Sequence, residues 1–120
     1  MAVLLEEPEK DSVLELTKNS NLIVPNVIDF EIVNALSKLY KRKILSENEV
    51  YQAIFLYKEM PLYTKAVDIN HSIKISCKYS IYAYDAYYLE MALRLNLPLI
   101  TFDSEMKTVA RDLKINILEV

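Results

Sequence analysis

The chain contains no glycine in 120 residues, and that absence excludes a good deal of chemistry. Phosphate loops, dinucleotide-binding turns and nucleophile elbows use glycine where the backbone turns tightly or approaches a ligand. None can be built here in its usual form. Nucleotide triphosphatase, nicotinamide enzyme and serine hydrolase therefore fall away as readings. Left-handed backbone positions must pass to the next most tolerant residue, asparagine, and Asn19, Asn21, Asn96 and Asn116 lie where elements should end. There is one cysteine, Cys77, so no internal disulfide is possible, which fits a reducing cytoplasm. On a helix it reads as a small buried hydrophobe. The one histidine, His71, has no nucleophile or ligand partner nearby in the sequence and reads as a surface residue at a helix start.

No apolar run approaches the ~20 residues that a membrane helix needs. The opening M-A-V-L-L-E-E-P lacks the basic segment, long apolar stretch and cleavage site of a signal peptide. The expected location is the cytoplasm, with no membrane partner. Positive charge is also scarce: the formal net charge is −3, whereas nucleic-acid binders are usually basic over at least one face. L-Y-K-R-K is a local exception, with Lys38, Lys41, Arg42 and Lys43 at a helix end. The simpler account is interaction with the helix C-terminus; the other is contact with phosphate.

What is present is globular. Hydrophobic residues make up 52% and charged residues 26%, values of a folded chain large enough for one core, so 1–120 is expected to form a single domain. There is no repeat, tail or linker, and prolines 8, 25, 61 and 98 fall at boundaries. Periodicity predicts helices at about 10–18, 27–41, 47–59, 71–78, 83–95 and 104–113. Strands are predicted at about 22–24, 65–69, 99–102 and 115–118. Ser46 and Glu49 have capping-box spacing, and Asn26 stands where an N-cap is wanted. Ile28, Ile32, Ala35, Leu36 and Leu39 mark one buried helical stripe. Short β-rich runs separated by helices predict an α/β sandwich with a largely parallel sheet, its strands buried on both faces.

Ligand crevices in such sheets open at the carboxyl ends of strands, and three carboxylates fall near element ends. Glu31 lies early in the second helix with Asn34 on the same face. Asp85 lies in the first turn of the 83–95 helix. Asp103 closes the strand L-I-T-F, with Thr101 two residues earlier on the same side and placed to orient it by a hydrogen bond. Each acid alone has a structural account, since acidic residues favour helix starts. Together they form an oxygen-ligand set for Mg²⁺ or Mn²⁺, and such a metal suits phosphodiester hydrolysis. The tyrosines at 79, 82, 84, 87 and 88 could stack bases; core packing and a dimer surface explain them more simply.

F-E-I-V-N-A-L, I-Y-A-Y-D-A-Y-Y-L-E-M-A and L-P-L-I-T-F-D-S-E-M resemble the motifs of PIN-domain ribonucleases, closest to the small VapC-type toxins of toxin–antitoxin pairs. The resemblance runs over nearly the whole chain. It implies a PIN-like three-layer α/β sandwich with a mainly parallel central sheet flanked by helices. It further implies an endoribonuclease dependent on Mg²⁺ or Mn²⁺, acting on RNA, dimeric, and held inactive by a cognate antitoxin. The family's acidic positions fall on Glu31, Asp85 and Asp103, with Asn34 and Thr101 as supporting polar residues. There are two departures. The family begins with a strand ending in a first catalytic aspartate, and the opening A-V-L-L-E-E-P-E resembles the segment after it. Glu6 and Glu7 do not match that aspartate. A start site placed too far downstream, a shortened chain, or a degenerate homologue that binds antitoxin, partner or RNA without cutting would each explain this. The first two are favoured because the other three acids are intact. The second departure is Tyr82, where the family often carries a small hydroxyl residue that caps the helix before the aspartate. A phosphoacceptor receiver domain would need an early acidic pair and a late strand-end lysine, and neither is evident.

Overall fold

Helix start and stop signals divide the chain much as its periodicity suggests. The structure, a computed structural model, describes residues 22–118; the expected 10–18 helix, Asn19, Asn21, Glu6 and Glu7 lie outside them. The elements run β1 (Leu22–Pro25), α1 (Ile28–Lys41), α2 (Glu47–Glu59), β2 (Leu62–Lys65), α3 (Ile69–Tyr79), α4 (Ala83–Leu95) and α5 (Ser104–Asp112). The architecture is mixed α/β. The described residues fall into two compact units, 22–64 and 65–118.

In the first unit β1 pairs with β2. The predicted stripe of α1 is its buried face: Ile32 and Leu36 pack with Ala53 of α2, and Ile28, Leu45, Val50 and Ile54 lie against them. Burying a leucine such as Leu36 stabilises the fold by about 1.5–3 kcal/mol. The capping box of α2 forms as read. The Ser46 side chain accepts from the Glu49 amide, and the Glu49 carboxylate accepts from the Ser46 amide at 2.9 Å. These bonds hold the Glu49 carboxyl below its ordinary range, the Ser46 backbone bond contributing most. Asn26, expected as the α1 cap, lies instead in a two-residue turn, and Val27 takes the cap position without a side-chain bond. Tyr57 of α2 donates from its hydroxyl to Asp29 in the first turn of α1; burial first, then that bond, raises the Tyr57 pKa.

The strand expected near 65–69 lies earlier, at Leu62–Lys65, with Tyr63, Thr64 and Lys65 exposed rather than buried on both faces. Asp68 decides where it stops. Its side chain accepts from the His71 amide at 3.0 Å and N-caps α3, so Ile69 becomes helical.

The second unit packs Ile75, Ala86, Leu89, Ala92, Leu99, Val109 and Ala110 into one core. The strands expected at 99–102 and 115–118 narrow to a single parallel bridge between Leu99 and Ile117. Leu99 donates to Asn116 at 2.8 Å and accepts from Leu118 at 2.9 Å. Beyond it, the Asp103 amide turns to the Thr101 hydroxyl at 3.1 Å, a local side-chain bond that competes with a sheet ladder.

Among the described residues the left-handed positions are Lys43, Ser80, Asn96 and Lys114. Asn96 meets the expectation and Asn116 does not. In a chain without glycine, lysine and serine carry these turns where helix ends require a positive φ. Cys77 is exposed, not buried, because the inward face of α3 is taken by Ser72 and Ile75. No described helix is long and apolar enough to cross a membrane.

Candidate active site

The start of α4 and the start of α5, both in the second unit, place Asp85 and Asp103 within electrostatic reach of each other. Asp85 sits in the first turn of α4, half-buried beside the fully buried Ala86. Burial pushes its carboxyl above the ordinary aspartate value, and the charges of Asp103 and then Glu105 push it further the same way. Loss of hydration and like charge both disfavour the ionised form.

Asp103 is the N-cap of α5. Its Oδ1 accepts from the Glu105 amide at 2.8 Å and the Met106 amide at 3.2 Å. Two backbone donors thus fix the carboxylate while its second oxygen is not used in the cap. Thr101 was expected to orient the Asp103 side chain. It instead accepts from the Asp103 backbone amide and lies 3.7 Å from the Met106 sulfur. Its role is to shape the turn that presents the carboxylate.

Glu31 is half-buried and Asn34 exposed, and both lie on α1 of the first unit. The second unit therefore brings together Asp85 and Asp103 and adds Glu105, which sequence reading passed over. Its signal was available: an acid two residues after an N-cap aspartate falls in the same helical turn. Among the described residues, no three of His, Cys, Asp and Glu are gathered into a group that could hold a metal ion. The donor chemistry of the Asp85–Asp103 pair nevertheless fits a hard cation: all ligand atoms are carboxylate oxygens, and they repel in its absence.

The sequence matches the PIN domain family over residues 1–112. This chain belongs to the PIN domain family. PIN domains are generally nuclease domains, and PIN nucleases usually employ divalent metal ions, in keeping with the oxygen-rich character of the pair. Comparison with curated proteins gave no match.

A fully buried acid in this PIN domain has a structural role that sequence reading also missed. Glu90 on α4 is only 2% exposed. Arg94, one turn on, donates to its Oε1 at 2.6 Å, and the Asp68 amide donates to its Oε2 at 3.2 Å. The same guanidinium reaches the Ala66 carbonyl at 2.9 Å. This clamp ties the segment before α3 to α4, and the bond to Glu90 raises the Arg94 pKa. His71 is exposed at the start of α3, as expected, with Nδ1 3.1 Å from Asp68.

The tyrosines divide by burial. Tyr79 and Tyr88 pack against the core, and Tyr79 donates its hydroxyl to Asp112. Tyr82 is the N-cap of α4 but makes no side-chain capping bond. Lys38, Lys41, Arg42 and Lys43 are all exposed. The carbonyls of Lys38, Leu39 and Tyr40 accept backbone amides of residues 42–45, and Lys38 and Lys41 lie in the last turn of α1, where cations interact favourably with a helix C-terminus.

Proposed function

We propose that this PIN domain is a Mg²⁺- or Mn²⁺-dependent endoribonuclease, the VapC-like toxin of a toxin–antitoxin pair. It would act in the cytoplasm as a single-domain homodimer restrained by a cognate antitoxin. The observation that carries the reading is the placing of Asp85 in the first turn of α4 and Asp103 at the N-cap of α5, near enough that the charge of Asp103 reaches the half-buried Asp85, in a chain matched by the PIN family over 1–112. Within the second unit Asp85 and Asp103 would hold the metal, with Thr101 shaping the turn before Asp103; Glu31 and Asn34, on the first unit, are assigned to the site by the family motif alone. When bound, the metal supplies a water of lowered pKa and charge stabilisation on the phosphate. Asp103 contributes a carboxylate held by two amides, so little reorganisation accompanies binding. Asp85 contributes a partly desolvated charge, whose pairing with a cation is stronger than it would be in water. A cation held there would offset the negative charge of Asp85 and Asp103, so that an acidic protein could take an acidic substrate.

The test is cleavage of a single-stranded RNA by the purified chain in Mg²⁺ or Mn²⁺, beside Asp85→Asn and an EDTA control. The expected result is cleavage by the parent chain and a loss of at least about a hundredfold in the variant, on the scale of removing one charge-stabilising group. Equal cleavage by both proteins, or none by either, defeats the reading.

A further inference from the structure

The chain passes from the first compact unit to the second at the end of β2, between Thr64 and Lys65. The residues just after this joint have little of their own to hold them. Lys65 and Ala66 are exposed, Val67 and Asp68 are half-buried, and residues 66–68 lie in neither helix nor strand. Segments with few buried apolar contacts are the first to open in a native protein. Among the described residues, the bonds that tie this segment to α4 end on two side chains. The Asp68 amide donates to Glu90 Oε2 at 3.2 Å, and the Arg94 guanidinium donates to the Ala66 carbonyl at 2.9 Å. Arg94 also holds Glu90, through Nε to Oε1 at 2.6 Å and Nη2 to Oε2 at 3.4 Å. The Asp68 carboxylate is committed to capping α3, so its amide alone reaches Glu90.

Stability of the core is a poor reason for such a pair. Burying the Glu90 carboxylate costs about as much as its pairing returns, and a well-packed apolar pair in its place is often as stable or more so. What an apolar pair cannot supply is two directed bonds to the backbone of the joint. We propose that Glu90 and Arg94 form a latch on this joint. They set how readily residues 65–68 peel away from α4, independently of the stability of the core beneath. The fork of the guanidinium serves Glu90 and the Ala66 carbonyl together, which the compact ammonium of a lysine is not shaped to do. The latch lies on the same helix as Asp85, so the joint is fixed to the element that carries the candidate site. Its opening and closing need neither metal nor RNA, and the proposal stands apart from the nuclease reading.

The joint carries its own reporter, because trypsin cuts after Lys65 only when the surrounding chain opens. Cleavage at the Lys65–Ala66 bond is followed by mass spectrometry on the full chain, beside amide hydrogen exchange and thermal melting. In Glu90→Leu/Arg94→Met, cleavage after Lys65 and exchange of the Asp68 amide are expected to speed up by about tenfold or more, the scale of losing a bond to a charged group. The thermal midpoint should equal or exceed that of the parent, and the core amides of Val109 and Ala110 on α5 should exchange as before. Arg94→Lys keeps a cation beside Glu90 but loses the fork, and should speed the cut by about threefold or more. Unchanged cleavage after Lys65 in the double variant overturns the proposal. A lowered midpoint with faster exchange at Val109 and Ala110 also overturns it, since the pair would then be an ordinary stabiliser of the core. So does cleavage of Arg94→Lys at the parent's rate.

Discussion

Asp85 is a carboxylate whose ionisation is unfavourable to the fold, and it is also a residue that the proposed function needs. Its carboxyl titrates above the ordinary value of 3.8, first through burial and then through Asp103 and Glu105. Between 3.8 and that raised value the native chain keeps a proton that the unfolded chain has released. Stability therefore falls as pH rises through this window, and the penalty is constant above it. Asparagine cannot ionise, so Asp85→Asn is expected to raise the metal-free thermal midpoint at neutral pH. The gain should shrink through the window and vanish below about 3.8; melting curves over a pH series check this, and an unchanged difference at all pH values would count against it. The local positions of Asp85 in a first helical turn and of Asp103 at a helix start were legible from the sequence. Glu105 and Glu90 were not: their importance comes from a neighbour's charge and from burial, neither of which a sequence displays.

Among the elements, those with local signals at both ends were read closely, and those defined by distant pairing were not. The helices Glu47–Glu59 and Ala83–Leu95 match their predicted bounds, because caps and apolar spacing are local. The expected strand at 99–102 reduces to one bridge, because a strand exists only by virtue of its partner. Removing a cap tests the first point. Ser46→Ala is expected to destabilise the protein by about 1 kcal/mol, measured by urea denaturation, without altering RNA cleavage. A change below about 0.3 kcal/mol would mean that the observed capping box contributes little against the usual range. At the exposed end of α1, Arg42→Ala should cost about 0.5 kcal/mol or less. Arg94→Ala should cost clearly more in the same urea measurement, because it strips the cationic partner from buried Glu90, leaving it the Asp68 amide alone, and releases the Ala66 carbonyl.

At the scale of the whole molecule, folding and metal binding are linked if the carboxylates hold the ion only in the native state. Adding Mg²⁺ or Mn²⁺ should then raise the thermal midpoint, by about 2.7 kcal/mol of stability at a hundredfold excess over the dissociation constant, and EDTA should reverse it. Asp85→Asn should abolish the response; an equal rise in both proteins would place the ion elsewhere. By itself the sequence determined the α/β class, five described helices, the α1 stripe and the motifs of the PIN family, because these depend on spacing, capping and residue type within short stretches. Its lack of glycine also argues against phosphate loops and dinucleotide-binding turns of the usual form. Only the tertiary structure decided that Asp103 is held by two amides, that Asp85 feels Asp103 and Glu105, and that Glu90 is buried in a clamp. Only the tertiary structure, too, left Tyr82 in solvent while placing Tyr79 and Tyr88 against the core. The physical reason is the same in each case: burial and charge coupling act between residues that are neighbours in space, and the fold alone makes them so.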